Sequence, residues 1–353
     1  SNMEPILDKK LEEFSDKDKY KKKVHDMKLL TLIEEKHKNN QELSLYDLKF
    51  LYEVDSEIKG FGYEKDPRIE EIISKRDKRK DFAFAYGVNE DEIAFSQEEW
   101  EENKDRIKVY YGVLNLNSLP SAEGLVLPNT IEGCLFLDSL TSAKGLVLPN
   151  TIKGYLSLNG LTSAEGLVLP NTIEGCLNLS GLTSAEGLVL PNTMNGNLNL
   201  RGLTSAKGLI LPNIINVDLN LSGLISAEGL VLPNIINGDL NLSGLISAEG
   251  LVLPNTINGD LNLSGLISAE GVVLPDTINE SLDLDSLTSA KGLVLPNTII
   301  GYLYLYNLAS AEGLILPISL FDRIHSNITI PETCFIPDEE YYKYKNNESI
   351  RKI

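Results

Sequence analysis

Three aspartates recur at a 21-residue interval, Asp218, Asp239 and Asp260, and each is followed two positions later by an asparagine, Asn220, Asn241 and Asn262. Ser222, Ser243 and Ser264 complete a polar grid. Oxygens in such an array could hold a hard cation such as calcium, hydrogen-bond a sugar, or receive a basic partner. Like charges stacked at strand spacing repel, by about 1 kcal/mol in water and a few kcal/mol near a protein surface. Neighbouring amides or a bound cation would offset that. The competing reading is a solvated face copied by duplication.

A second candidate is Tyr302, Tyr304 and Tyr306, whose alternation with leucines puts all three rings on one side of a strand. Aromatic clusters bury large area at low entropic cost, which suits a partner site. They would equally serve as a cap against the tyrosine-rich segment holding Tyr341, Tyr342 and Tyr344.

Catalysis finds little support. His25, His37 and His325 have no serine, cysteine or aspartate at a recognised spacing, and no phosphate-loop, dinucleotide or zinc-protease motif occurs. We expect no catalytic residues, no metal site and no cofactor. A polysaccharide-cleaving β-helix could use the aspartate column, but such clefts need irregular long loops, and no repeat here carries an insertion. An ice-binding face would want regular threonine columns. Those from Thr130 to Thr193 and from Thr141 to Thr204 are interrupted by Ile214, Ile235, Ile225, Ile246 and Ile267.

What positions these residues is a tandem repeat. The tetrapeptide SA[EK]G begins at Ser121 and returns with a 21-residue period to Ser310, ten times in all, after a half-copy at 112–119. In the copy at 247–267, Leu251-Val252-Leu253 and Asp260-Leu261-Asn262-Leu263 read as two short strands, with the leucines inside and Val252 and Asn262 outside. Ile257 and Leu266 extend the apolar set, Ala248 suits a tight corner, and Pro254 with Asn255 ends the first strand. The SA[EK]G glycine is invariant and predicts positive φ; the later glycine column admits Val217 and Glu280 and predicts extended backbone. Six buried apolar side chains offset only part of the entropy of ordering a single copy. Copies must therefore stack, which makes a solenoid with coils about 4.8 Å apart.

Residues 3–99 differ in character. A helix is predicted from Ser15 to about Asn39, another opens at a Ser44/Asp47 capping box, and a third begins at Pro67. The Lys21-Lys22-Lys23 run, interleaved with acids, reads as a solvated helix face. We expect 1–2 to be an expression scar before Met3, 3–99 a helical domain that covers the first coil, 100–330 the solenoid, and 331–353 a capping segment with a short polar helix at 337–345.

The chain of 353 residues carries a formal net charge of −19. Residues 1–99 hold 19 Lys and Arg against 25 Asp and Glu, leaving 13 against 26 for the remainder. An acidic repeat region lacks the cations that phosphates demand, so no nucleic-acid partner is expected. No apolar run is long enough to span a membrane. Cys134, Cys176 and Cys334 are too few and scattered for a disulfide framework, and Cys134 and Cys176, two coils apart, lie beyond disulfide reach. With no signal peptide, a cytoplasmic location is expected, signal-independent export remaining open.

Ile173-Glu174-Gly175-Cys176-Leu177-Asn178-Leu179 followed by Leu182-Thr183-Ser184-Ala185-Glu186-Gly187-Leu188 resembles the leucine-rich-repeat superfamily. It is closest to the receptor L-domain branch, and the Leu190-Pro191 pair is similar to bacterial L-P repeats. Repeats of this kind are similar to those of bacterial and phage proteins. The resemblance covers roughly residues 110–317 and implies a right-handed β-solenoid of 21-residue coils, which the residue pattern of 3–99 places after a small all-α domain. It implies no particular activity. Leucine (Leu182, Leu203, Leu245) stands where ordinary leucine-rich repeats bury an asparagine, so an internal amide ladder is missing and a straighter β-helix is expected. The sequence thus points to a non-enzymatic scaffold that binds another protein. A carbohydrate-binding or carbohydrate-active β-helix, or a metal- or ice-binding surface, is the alternative.

Overall fold

A computed structural model describes residues 17–62 and 65–345; residues 1–2, expected to be an expression scar, lie outside the described residues. The chain divides into two compact units, one of 1–94 with 106–109 and one of 95–105 with 110–353.

The first unit is helical. Helices run over Lys17–Lys38, Leu45–Leu51, Pro67–Ile73 and Lys78–Tyr86. Leu30, Ile33, Leu51, Ile72 and Phe82 form its core. The capping box is present: Ser44 Oγ accepts from the Asp47 N–H at 3.2 Å while Asp47 Oδ2 accepts from the Ser44 N–H at 2.8 Å. Asp66 caps the helix whose first residue is Pro67. The lysine run is less idle than a solvated face. Lys22 Nζ donates to the buried Asp26 carboxylate at 2.7 Å, and the Lys59 N–H donates to the same oxygen at 2.8 Å.

The second unit is a parallel β-solenoid of about 11 turns. Its main sheet runs from Val109–Asn115 through Thr130–Phe136 and one short strand per coil to Ile324–Ser326. Register is set by the repeat: Leu219 faces Leu198 and Leu240, and Asn220 faces Asn199 and Asn241. Each leucine N–H donates to the following coil, as from Leu240 to the Asp260 carbonyl at 2.8 Å. A second run of strands, Thr193–Met194 to Thr298–Ile299, stacks in the same register. Between the sheets lie the buried columns of Ile257, Leu261, Leu263, Leu266 and Ala248 and their counterparts.

One expected strand is absent. Leu251-Val252-Leu253 has no ladder partner; the strand is Thr256–Ile257, beyond the proline. The residue before a proline is held extended whatever it pairs with, so period-two alternation there reports geometry without pairing. Leu251 is buried and Val252 exposed as expected, Leu253 is only half-buried, and Pro254 is itself a buried corner. The coil therefore has three sides, two hydrogen-bonded and one not. Both glycine predictions hold: φ lies between 73° and 83° at every SA[EK]G glycine, while Val217 and Glu280 have no positive φ.

The ends of the unit are built from outside the repeat. Helix Gln97–Glu102 brings Trp100 into its core, with Lys104 Nζ 4.8 Å from the ring centroid. At the other end helix Asp338–Lys345 follows a strand, Phe335–Ile336, that pairs with Leu316–Pro317.

Candidate binding surfaces

The aspartate column has a structural job. Where the chain bends ahead of the Leu–Asn strands from Leu198–Asn199 to Leu261–Asn262, a backbone N–H of the following coil meets a side-chain oxygen. Asp218 Oδ1 accepts from Asp239 N–H at 2.9 Å, Asp239 from Asp260 at 2.7 Å, and Asp260 from Ser281 at 2.6 Å. Asn197 does the same for Asp218 at 3.4 Å, and Ser281 Oγ for Tyr302 at 3.2 Å. Any short acceptor serves, which is why Asn, Asp and Ser share the position.

Charge accumulates as a result. Burial pushes the Asp239 carboxyl above its usual range, and the charges of Asp218 and Asp260 push the same way, against the Asp260 N–H. Burial likewise raises Asp283, with Asp285 and Asp260 adding to it. Carboxylate oxygens of Asp239, Asp260 and Glu280 lie within 4.8 Å of one another.

The asparagines are also engaged. The Oδ1 atoms of Asn220, Asn241 and Asn262 accept from the N–H groups of Ser222, Ser243 and Ser264 at 3.0, 3.0 and 2.9 Å, turning the chain out of the strand. The grid thus presents amide N–H groups and residual carboxylate charge from a fixed frame.

Sequence reasoning missed an external amide ladder. Asn216, Asn237, Asn258 and Asn279 each donate Nδ2–H to the Oδ1 of the preceding member, starting at Asn195, over 3.2, 3.1, 2.8 and 2.7 Å. Its signal was a run of five asparagines at the repeat interval, in a column other than the buried one. Earlier in the same column, Lys153 pairs with Glu132 at 3.0 Å.

Tyr302, Tyr304 and Tyr306 sit together, but they meet His325 of the next coil, not the C-terminal tyrosines. Ring centroids lie 5.0, 5.0 and 6.2 Å from the imidazole, with Tyr304 and His325 directly paired across the strands. Tyr302 and Tyr306 remain exposed. Tyr341 goes elsewhere. It is buried, its hydroxyl accepting from the Leu295 N–H at 2.8 Å and donating to the Leu295 carbonyl at 3.1 Å.

Also overlooked as a surface is the unpaired third side. Val147, Val168, Val189, Ile210, Val231, Val252 and Val273 form a single column, each 74–77% exposed. Isolated exposed apolar residues are ordinary; an aligned row is not.

The three cysteines are free. Among the described residues no helix is long and apolar enough to cross a membrane. Comparison with protein-family models, with curated proteins and with solved structures finds no match.

Proposed function

We propose that the chain is a non-enzymatic binding scaffold for another protein, with the solenoid as the recognition surface. The observation that carries this reading is the internal satisfaction of the outward columns. Asp218, Asp239 and Asp260, with Asn220, Asn241 and Asn262, are each fixed by a backbone N–H, so the face loses little entropy on binding. The partly exposed Tyr302–Tyr304–Tyr306 cluster adds an aromatic anchor at one end. The resemblance to leucine-rich repeats supports the same role, and kinship with that superfamily is part of the proposal. A cytoplasmic location, which free thiols favour, belongs to it too.

The test is affinity capture with the full chain from lysate of its source cells, beside two surface variants, Asn220→Arg/Asn241→Arg and Tyr302→Ser/Tyr304→Ser. A protein held by the wild type and lost by either variant supports the scaffold. Identical captures from all three count against these faces. Glycan turnover that disappears in Asp239→Asn would replace the scaffold with a carbohydrate-active enzyme.

A further inference from the structure

The third side of the solenoid is seen in two states within one molecule. Through most of the stack the second leucine of the LVL segment is half-buried, as at Leu148, Leu190, Leu232 and Leu253. At Leu295 and Leu316 the same position is fully buried, and Val294 and Ile315 lose the exposure their counterparts show. The difference is a cover. Helix Asp338–Lys345 lies against this side: its Asp338 carboxylate accepts from the Ser319 N–H at 3.2 Å, and Lys345 Nζ reaches back to Asp276 at 3.1 Å. Two coils at about 4.8 Å each separate those anchors, and eight helical residues, each rising about 1.5 Å, span a similar length.

The contact uses what the repeat leaves open. Tyr341 places one hydroxyl on both the N–H and the carbonyl of Leu295. The backbone groups of the equivalent residues from Leu148 to Leu253 have no hydrogen-bond partner among the described residues. A helical turn advances about 5.4 Å, nearly the coil spacing, so successive turns of a longer helix would meet successive coils. Beside the helix a groove of about 1170 Å³, lined by Val273, Val294, Ile315, Tyr344 and Lys345, runs along the covered coils and reaches the last member of the exposed stripe.

Charge selects the occupant. Three residues before the stripe runs the SA[EK]G column, with exposed Glu165, Glu186, Glu228, Glu249 and Glu270 against two lysines, Lys144 and Lys207. None of these glutamates has an ionic partner among the described residues. The helix already seated here carries its basic residues, Lys343 and Lys345, in its last turn, toward the open coils.

We infer that the Val147–Val273 stripe is a docking track for an amphipathic helix of a partner protein, about 20 residues long. That helix presents tyrosines to the LVL backbone and lysine or arginine to the glutamate column. The inference rests on the scaffold reading and moves the main contact from the Leu–Asn face to the unpaired side.

The probe is a synthetic 20-residue helical peptide with tyrosine at every turn on one face and lysines flanking it, titrated against the full chain by fluorescence anisotropy. Saturable binding is expected, weakened at least about 10-fold by the triple variant Val189→Asp/Ile210→Asp/Val231→Asp, whose sites are too exposed to disturb the fold. Unchanged melting of that variant checks the point. A peptide with glutamate for lysine should lose a similar factor, and raised salt should weaken the lysine peptide. Ile225→Asp/Ile246→Asp, equally apolar but off the stripe, should bind as wild type. Equal binding by the triple variant, equal loss in the Ile225/Ile246 variant, or no preference for lysine over glutamate overturns the track. So does concentration-dependent dimerisation abolished by the triple variant, which would seat a second copy there. If the peptide fails while a captured protein is still lost on Asn220→Arg/Asn241→Arg, the track falls and the scaffold stands. If both fail, both fall.

Discussion

The two units handle carboxylates in opposite ways. In the helical unit acids meet cations and N–H donors: Asp47 takes Lys36 at 2.6 Å, and Arg68 beside Asp66 holds that carboxyl below its usual range. Asp47 is likewise lowered, the Lys36 and Ser44 contacts outweighing its burial. In the solenoid, Asp239 stands between Asp218 and Asp260, and its carboxyl is raised. A unique sequence can set opposite charges side by side. In a repeat column opposite charges meet only where the copies have diverged, as at Lys153 and Glu132. Tandem duplication sets Asp218, Asp239 and Asp260 on copies of themselves, so their charges stack on like charge. The repeat tolerates this because each of these carboxylates also accepts a backbone N–H, which rewards the oxygen while the charge is penalised.

Four measurements would break or sharpen that contrast. The largest effect belongs to the helical unit, where the buried Asp81 accepts two bonds from Arg76, at 2.5 and 2.8 Å, and one from the Tyr52 hydroxyl at 2.9 Å. Asp81→Ala strands a cation and should cost about 3–5 kcal/mol, lowering the melting of that unit alone. A single melting shift of the whole chain would mean that the units do not unfold separately. Next, Leu261→Ala in the fully buried solenoid core should cost about 2–5 kcal/mol, read from the solenoid transition in urea.

The amide ladder predicts a positional effect. Asn258 both donates and accepts along the column, whereas Asn195 only accepts. Asn258→Ala should therefore destabilise by about 1 kcal/mol, and Asn195→Ala by about half as much. Equal costs would show that the ladder is ornamental. The smallest effect is electrostatic. Raised carboxyls such as Asp239 favour the folded state when protonated. Their contribution is full below the unfolded value near pH 4 and is lost as pH rises through the folded pKa. The lowered Asp47 and Asp66 act in reverse, stabilising above about pH 4 and failing as pH falls through their folded values. Acidification from pH 6 towards 4 should thus steady the solenoid, and further acid should weaken the helical unit. Asp239→Asn should raise solenoid stability at pH 7 by less than about 1 kcal/mol and flatten its pH slope.

Much of this was legible in the chain before folding. The Ser44/Asp47 box, Pro67 at a helix start and the invariant SA[EK]G glycine are local demands, met within a few residues. The candidate columns were readable too, because a strict 21-residue interval stacks like on like whatever the coil shape. Their meaning was not. That the aspartates receive N–H groups depends on how far one coil's bend lies from the next, a distance no residue encodes alone. The Leu251–Leu253 segment misled for a related reason, since alternation sets which side a residue faces and says nothing about whether a partner backbone lies within reach.

By itself, then, the sequence determined the coil, its period and its inward and outward columns, because those follow from spacing and from φ at single residues. Only the tertiary structure decided that one side of the coil stays unpaired, that His325 joins the tyrosines, and that Tyr341 closes on Leu295 46 residues back. Those outcomes rest on backbone groups brought to bonding distance by the whole stack, and bonding distance is a property of assembled coils.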